Sequence, residues 1–211
     1  MRLAVLGDVH GDVAALRRVV ARLGRARPDR VVCLGDVLDC GAAERAAGDA
    51  DRPFAEVTDW DAELADLLAG AELLRGNQEE RVAELVGAGG VPEECHRLLR
   101  APRRWAAGDV EVVHGHELSW TRVRDDWYCP LDAPVRRVLL FGHHHRNALY
   151  RVGGERTWAA LERPALRAGA PQRLGGPALV NVGPVLGAAS WVLLDTEADT
   201  ITHHFEPSYA R

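Results

Sequence analysis

Seven side chains able to bind a metal recur at the ends of short apolar runs. Met1-Arg2-Leu3-Ala4-Val5-Leu6 opens into Gly7-Asp8-Val9-His10, and Arg30-Val31-Val32-Cys33-Leu34 opens into Gly35-Asp36. Ala71-Glu72-Leu73-Leu74 leads to Arg75-Gly76-Asn77, Val110-Glu111-Val112-Val113 to His114-Gly115-His116, and Val138-Leu139-Leu140-Phe141 to Gly142-His143-His144-His145. Two imidazoles one residue apart at a strand end rarely serve structure alone, because a buried His needs polar partners and an exposed one gains nothing from clustering. With the carboxylates of Asp8 and Asp36, the amide of Asn77 and the rings of His10 and His114, they make a mixed oxygen and nitrogen set. Such a set suits a pair of divalent transition metals, with Asp36 as the natural bridge. Any one of these residues alone would be an ordinary turn residue, since Gly-Asp and Gly-Asn are common turn dipeptides.

The elements that must position these residues are legible in the hydrophobic pattern. Asp12 can cap a helix whose Val13, Leu16, Val19, Val20 and Leu23 share one face, so the chain starts as a β-α unit. Residues 42 to 57, rich in Ala, Gly, Asp and Pro, are expected to be irregular, after which Thr58 and Asp61 resemble a capping box for a helix that buries Leu64, Leu67 and Leu68. The helix after Asn77 buries Val82, Leu85 and Val86, and Pro92 opens one carrying Cys95, Leu98 and Leu99. Trp105-Ala106-Ala107 and Val110 to Val113 read as paired strands. Glu117 to Val135 reads as loop-rich, with its aromatics packed onto a sheet. Beyond His145 the pattern turns to strands at 147–152, 179–182, 190–194 and 200–202, expected to form a largely antiparallel sheet.

The chain of 211 residues is long enough for one domain, 1–211, with a substantial core. A net charge of −5 argues against a surface that coats nucleic acid, though not against a local phosphate site. All 26 basic residues are Arg, which excludes a lysine nucleophile or Schiff base. Cys33, Cys40, Cys95 and Cys129 have no Cys-x-x-Cys spacing and are expected to be free thiols. The apolar start stops at Gly7 and Asp8, and no run approaches the ~20 apolar residues of a membrane span. A cytoplasmic protein without a membrane partner or a stable nucleic acid complex is expected, and nothing in the sequence indicates its oligomeric state.

Asp8-x-His10, Gly35-Asp36-x-x-Asp39, Gly76-Asn77, His114-Gly115 and Gly142-His143-x-His145, in that order, resemble the calcineurin-like metallophosphoesterases, closest in style to compact bacterial phosphodiesterases. Asn181-Val182-Gly183-Pro184 is similar to a late Asn-Pro-Gly-Ser turn of such members. The resemblance implies an α/β fold, a four-layer α-β-β-α sandwich of two mixed β-sheets with a dinuclear metal site at the strand ends. It implies that Asp8, His10 and His145 hold one divalent ion and Asn77, His114 and His143 the other, with Asp36 bridging. Manganese is the first expectation, while Fe, Ni, Co and Zn also tolerate such ligands. The implied reaction is in-line attack on phosphorus by a hydroxide bridging the two metals, with a phosphorylated small molecule or nucleotide as substrate.

The departures from the family sharpen the expectation. Members commonly carry His after Gly-Asn, where it protonates the leaving group; this chain has Gln78, and a neutral amide cannot act as a general acid. Asp39, which orients that His in relatives, is retained without its partner. Cys40 stands where the protein-phosphatase branch has a phosphate-binding Arg. Phosphodiester or phosphoanhydride substrates with good leaving groups should suffer least. His116, two residues beyond His114, is a candidate phosphate contact or proton donor, with a loop-holding role equally open. Arg75 could fork onto a phosphoryl oxygen or simply pair with a carboxylate. His144 is read as outer or exposed, His96 as unpartnered on a helix, and His203 and His204 as solvated on an edge strand. A phosphoprotein or nucleotide monoesterase is the second enzymatic reading, and a non-catalytic protein-binding scaffold the third; retention of all seven ligands argues against a scaffold.

Overall fold

Strand β1 (Arg2–Leu6) splits its side chains between two layers, as alternation along a strand dictates. Leu3 and Val5 enter one apolar core, Ala4 and Leu6 another. The computed structural model describes residues 1–41, 51–86, 90–124, 127–130, 137–153 and 161–206. Helix α1 (Val13–Ala26) follows, its start fixed by the Asp12 carboxylate accepting from the Ala15 N–H at 2.9 Å. It buries Ala15, Leu16, Val19 and Leu23 at helical spacing, and the chain returns as β2 (Arg30–Cys33), parallel to β1. Short helices α2 (Phe54–Val57) and α3 (Glu63–Leu67) precede β3 (Glu72–Leu73), which pairs parallel with β2. Then come α4 (Asn77–Leu85), a 3-10 turn at Glu93–Cys95, and α5 (His96–Leu99).

Strands β4 (Arg104–Ala107) and β5 (Val110–Val113) form the expected hairpin. They are followed by β6 (Thr121–Arg124), β7 (Trp127–Cys129), β8 (Val138–Phe141), β9 (Asn147–Val152), β10 (Leu161–Glu162) and β11 (Pro171–Arg173). The chain ends in β12 (Ala178–Val182), β13 (Trp191–Asp195) and β14 (Thr200–His204). Two six-stranded mixed sheets result, ordered β11-β14-β13-β1-β2-β3 and β10-β9-β12-β8-β5-β4. They enclose a core of Leu3, Val5, Val32, Val112, Leu140 and Val180 among others. The helices pack on the outer face of the first sheet, through residues such as Leu16, Leu64, Val82 and Leu98.

The two-sheet α/β fold is as expected, and several local expectations are corrected. Within 42–57, residues 54–57 form α2 because Phe54 and Val57 fold inward; residues 42–50 lie outside the described part. Thr58 caps no helix through its side chain: its hydroxyl donates to the Asp39 carbonyl at 2.8 Å, while Asp61 accepts from the Glu63 N–H at 2.9 Å. The stretch after Glu117 holds the β6-β7 hairpin, with 125–126 and 131–136 outside the described residues. Strands of the second half serve both sheets, since β13 and β14 join β1 while β12 pairs parallel with β8. Strand β14 is interior, because the short β11 takes the edge, so His203 is buried and His204 stacks on Trp191 at 3.9 Å. The outer face of the second sheet is covered, among the described residues, by Leu118, Trp120 and Cys129 rather than by a helix. The four thiols are free, as expected. Among the described residues no helix is long and apolar enough to cross a membrane.

Candidate metal centre

The strands β1, β2, β5 and β8 end on the same edge of the sandwich, and parallel pairing brings their following turns together. The backbone then turns sharply. Asp8, His10, Asp36, His143 and His145 all adopt left-handed conformations, with φ between +46° and +70°. Each such residue costs about 1–2 kcal/mol, and Asn, Asp and His tolerate the region better than most. Strain of this kind, gathered on five of the seven proposed ligands, marks a functional site rather than a set of ordinary turns. Two glycines permit the close approach: a Cβ on Gly76 would lie 2.2 Å from Asp36 Oδ1, and one on Gly142 would lie 2.4 Å from Asp8 Oδ2.

Two groups of ligand atoms result, Asp8, His10 and His145 in one and Asp36, His114 and His143 in the other; within each, the atoms lie within 4.8 Å of one another. In the first, His10 Nε2 is 3.1 Å from His145 Nε2, and His145 Nε2 is 3.8 Å from Asp8 Oδ1. In the second, Asn77 Oδ1 sits 2.9 Å from His114 Nε2 and 3.0 Å from His143 Nδ1, so the amide belongs with that group. Asp36 Oδ2 lies between them, 3.8 Å from His10 Nε2 and 3.3 Å from His114 Nε2. The other oxygen of Asp36 accepts from the Gln78 N–H at 2.8 Å.

The electrostatics fit divalent cations. Asp8 has no exposed surface, and burial, opposed in part by His114, pushes its carboxyl up to about 7. Such a group calls for a cation to stabilise its ionised form. Burial, reinforced by His114, pushes His143 down to about 4, which leaves a neutral ring with one nitrogen lone pair free to bind a metal. Burial likewise lowers His145, with His10 adding to it. For His114 burial works downward, but the bond to Asp36 and the surrounding carboxylates outweigh it and the ring ends above its ordinary value. Its Nδ1 lies 3.2 Å from the Leu34 carbonyl, a contact that leaves Nε2 directed at the ligand cluster.

The remaining candidates are placed less uniformly. His116 reaches the cluster, its ring 5.3 Å from His114 and 6.4 Å from His143, although the chain at Gly115 is turned at φ +115° rather than extended. Its Nε2 is 3.3 Å from Glu80 Oε2, and burial followed by His114 lowers its pKa. Arg75 is engaged by Glu80, with Nε 3.3 Å from Glu80 Oε1, and its Nη1 donates to the Leu99 carbonyl at 3.4 Å. Gln78 offers its carbonyl to the Cys40 N–H at 2.9 Å. Asp39 lies 3.6 Å from His10 Nδ1, so it adjoins a proposed ligand rather than a proton donor. His144 is half-buried rather than exposed, its ring 4.0 Å from that of Trp120, because the 143–145 segment is a turn and not a continued strand. His96 has a partner after all, Glu93 at 3.8 Å.

Sequence reasoning missed Glu79, which is fully buried beneath the cluster, and Glu80, which joins Arg75, Arg103 and His116. Glu79 stands three residues after Gly76, the N-cap of α4, and an acid at that position is a known helix-start signal that could have found it. Beside His10 a groove of about 530 Å³ runs past Asp39, Thr58, Trp60 and Asp61.

The sandwich thus brings two groups of carboxylate and histidine donors to one edge, a set suited to divalent metals. The sequence matches the calcineurin-like phosphoesterase family over residues 1–168, and the chain belongs to that family. A metallophosphoesterase from Sphaerobacter thermophilus is similar in structure, with TM-score 0.68 and 21% identity over 99% of this chain and 89% of that one. Yfce, a phosphoesterase from E. coli, aligns with TM-score 0.46 and 19% identity over 96% of this chain and 98% of its own. An archaeal phosphodiesterase aligns with TM-score 0.46 and 11% identity over 97% and 99%. No curated protein matches the sequence.

Proposed function

We propose that this protein, as a single catalytic domain over 1–211, hydrolyses phosphodiester or phosphoanhydride bonds with two divalent ions. Asp8, His10 and His145 would hold one, Asn77, His114 and His143 the other, and Asp36 both. The position of Asp36 Oδ2 within 4 Å of a ring nitrogen from each group carries this reading. Two ions so held would lower the pKa of bound water and neutralise charge on the phosphoryl oxygens.

The residues around the ligands set the substrate preference. Gln78 has no acidic proton, and its amide oxygen is already occupied by the Cys40 N–H. A leaving oxygen therefore receives no proton from this position, and diesters or anhydrides with stable leaving groups are favoured over alkyl monoesters. His116 stands close enough to contact the phosphate. Arg75 would do so only by releasing Glu80. Asp39 orients His10 in place of the absent acid. Manganese is the expected ion, and a phosphorylated small molecule or nucleotide the expected substrate.

The test is hydrolysis of paired aryl diesters and monoesters by protein stripped of metal and reloaded with manganese. Diester turnover should require metal and fall steeply as the leaving group becomes more basic. Rapid turnover of a monoester with a poor leaving group would sink the diester preference and favour a monoesterase. Two bound ions with no hydrolysis of any ester or phosphoanhydride would leave only the binding scaffold.

A further inference from the structure

The carboxylate of Glu79 is wholly buried, yet its hydrogen bonds to described residues all come from backbone N–H groups. Oε1 accepts from Val37 at 2.7 Å and Leu38 at 3.0 Å; Oε2 accepts from Asp36 at 2.8 Å and Gly76 at 2.8 Å. The two oxygens thus tie three successive amides of one ligand loop to the residue preceding Asn77. The tie is returned, because Asp36 Oδ1 accepts from the Gln78 N–H at the start of α4. Two carboxylates, one from each loop, therefore lock the loops together from opposite sides.

We propose that Glu79 is a positioning residue that sets the metal centre before any ion arrives. It holds Asp36 in its left-handed turn and fixes the distance from Asp36 to Asn77. This rests on the dinuclear reading above. The geometry supports it in three ways. Asp36 needs an outside restraint, since its φ of +50° is one that residues with a Cβ adopt at a cost. A wholly buried carboxylate is unfavourable unless its oxygens are met by donors, and these four N–H groups meet them. Glutamine cannot replace it, because one carbonyl oxygen cannot stand in for two and its NH₂ would face N–H donors.

The first measurement is amide exchange in the metal-free wild-type protein, followed by NMR. The N–H groups of Asp36, Val37, Leu38 and Gly76 should be protected without metal. Should they exchange freely and become protected only when Mn²⁺ is added, the ion orders the loops and the proposal is wrong. The second is titration of metal-free Glu79→Gln with Mn²⁺, following affinity and the spin-coupled signal of paired ions by EPR. Affinity should fall about 10- to 100-fold, as for outer partners of metal ligands. The coupled signal should weaken even at saturating metal, while Glu79→Asp recovers part of both. Val82→Ala, a cavity in the buried face of α4, should lower stability and leave both readouts unchanged. A folded Glu79→Gln with wild-type affinity and coupling would overturn the proposal; if that variant does not fold, the wild-type exchange pattern decides. Wild-type protein that binds fewer than two ions would refute the dinuclear reading, and the exchange pattern would still judge the clasp.

Discussion

His114 and His203 are buried to the same extent, each with 1% of its surface exposed, and they are held in opposite ways. His114 lies among Asp36, Asp8 and Glu79, whose charges outweigh burial and raise its pKa. His203 sits on an interior strand, its Nε2 3.2 Å from the Asn181 carbonyl, and burial pushes it down to about 4. Burial alone therefore says little about what a histidine is for. Both rings meet a backbone carbonyl, and the carboxylates around His114 are what prepare a site for cations, while burial without them keeps His203 neutral. His116 falls between the two, close to the ligand cluster but lowered by burial and by His114.

The largest test removes the feature that separates the two regions. Asp36→Asn should release metal and lower turnover on the order of a thousand-fold, since the bridge offsets several kcal/mol of charge. In the metal-free protein the same change should bring the NMR-measured pKa of His114 down toward that of His203. Retention of two metals and full turnover would break the comparison at its root.

A smaller effect is expected at the structural histidine. His203 is depressed from 6.5 to about 4. The unfolded chain therefore binds its proton first as pH falls. Stability is complete above about pH 6.5, declines as pH falls toward 4, and the loss then levels off. At about 1.4 kcal/mol per unit the loss is about 3 kcal/mol. Urea unfolding of wild type and His203→Gln across pH 4–7 should show a shallower pH slope in the variant. Parallel slopes would mean that His203 is already protonated in the folded state.

The smallest effect concerns His116. As a ring that contacts the phosphate without donating a proton, its replacement by Ala should slow activated and poorly activated diesters equally, by about tenfold, with metal content unchanged. Much greater slowing of the poor leaving groups would make it the proton donor, and Gln78→His should then restore part of the loss, with Asp39 at hand to orient the new ring.

The seven ligand residues were legible because each stands where an apolar run ends, and runs and turn residues are local signals. So was α1, whose cap at Asp12 and apolar spacing from Val13 to Leu23 are each set by near neighbours in the chain. The place of His203 was not legible, because it depends on β11 taking the sheet edge, and Pro171–Arg173 is too short and polar to announce a strand. The cover that the described residues give the second sheet was hidden for a similar reason, since Leu118 and Trp120 reach that face from a turn.

By itself, then, the sequence determined the donor types, their order and their place after strands, together with the missing acid at Gln78. The division of those donors into two groups came only through the family resemblance, and only the tertiary structure decided that Asp36 Oδ2 stands between those groups and that Glu79 rather than a nearer neighbour braces the turn. The physical reason is separation along the chain. A strand and its terminal residue are specified by a handful of neighbours. The contact of His10 with His145 spans 135 residues, and that of Asp36 with Glu79 spans 43. Such contacts exist only once the parallel strands have paired and drawn their left-handed turns to one edge.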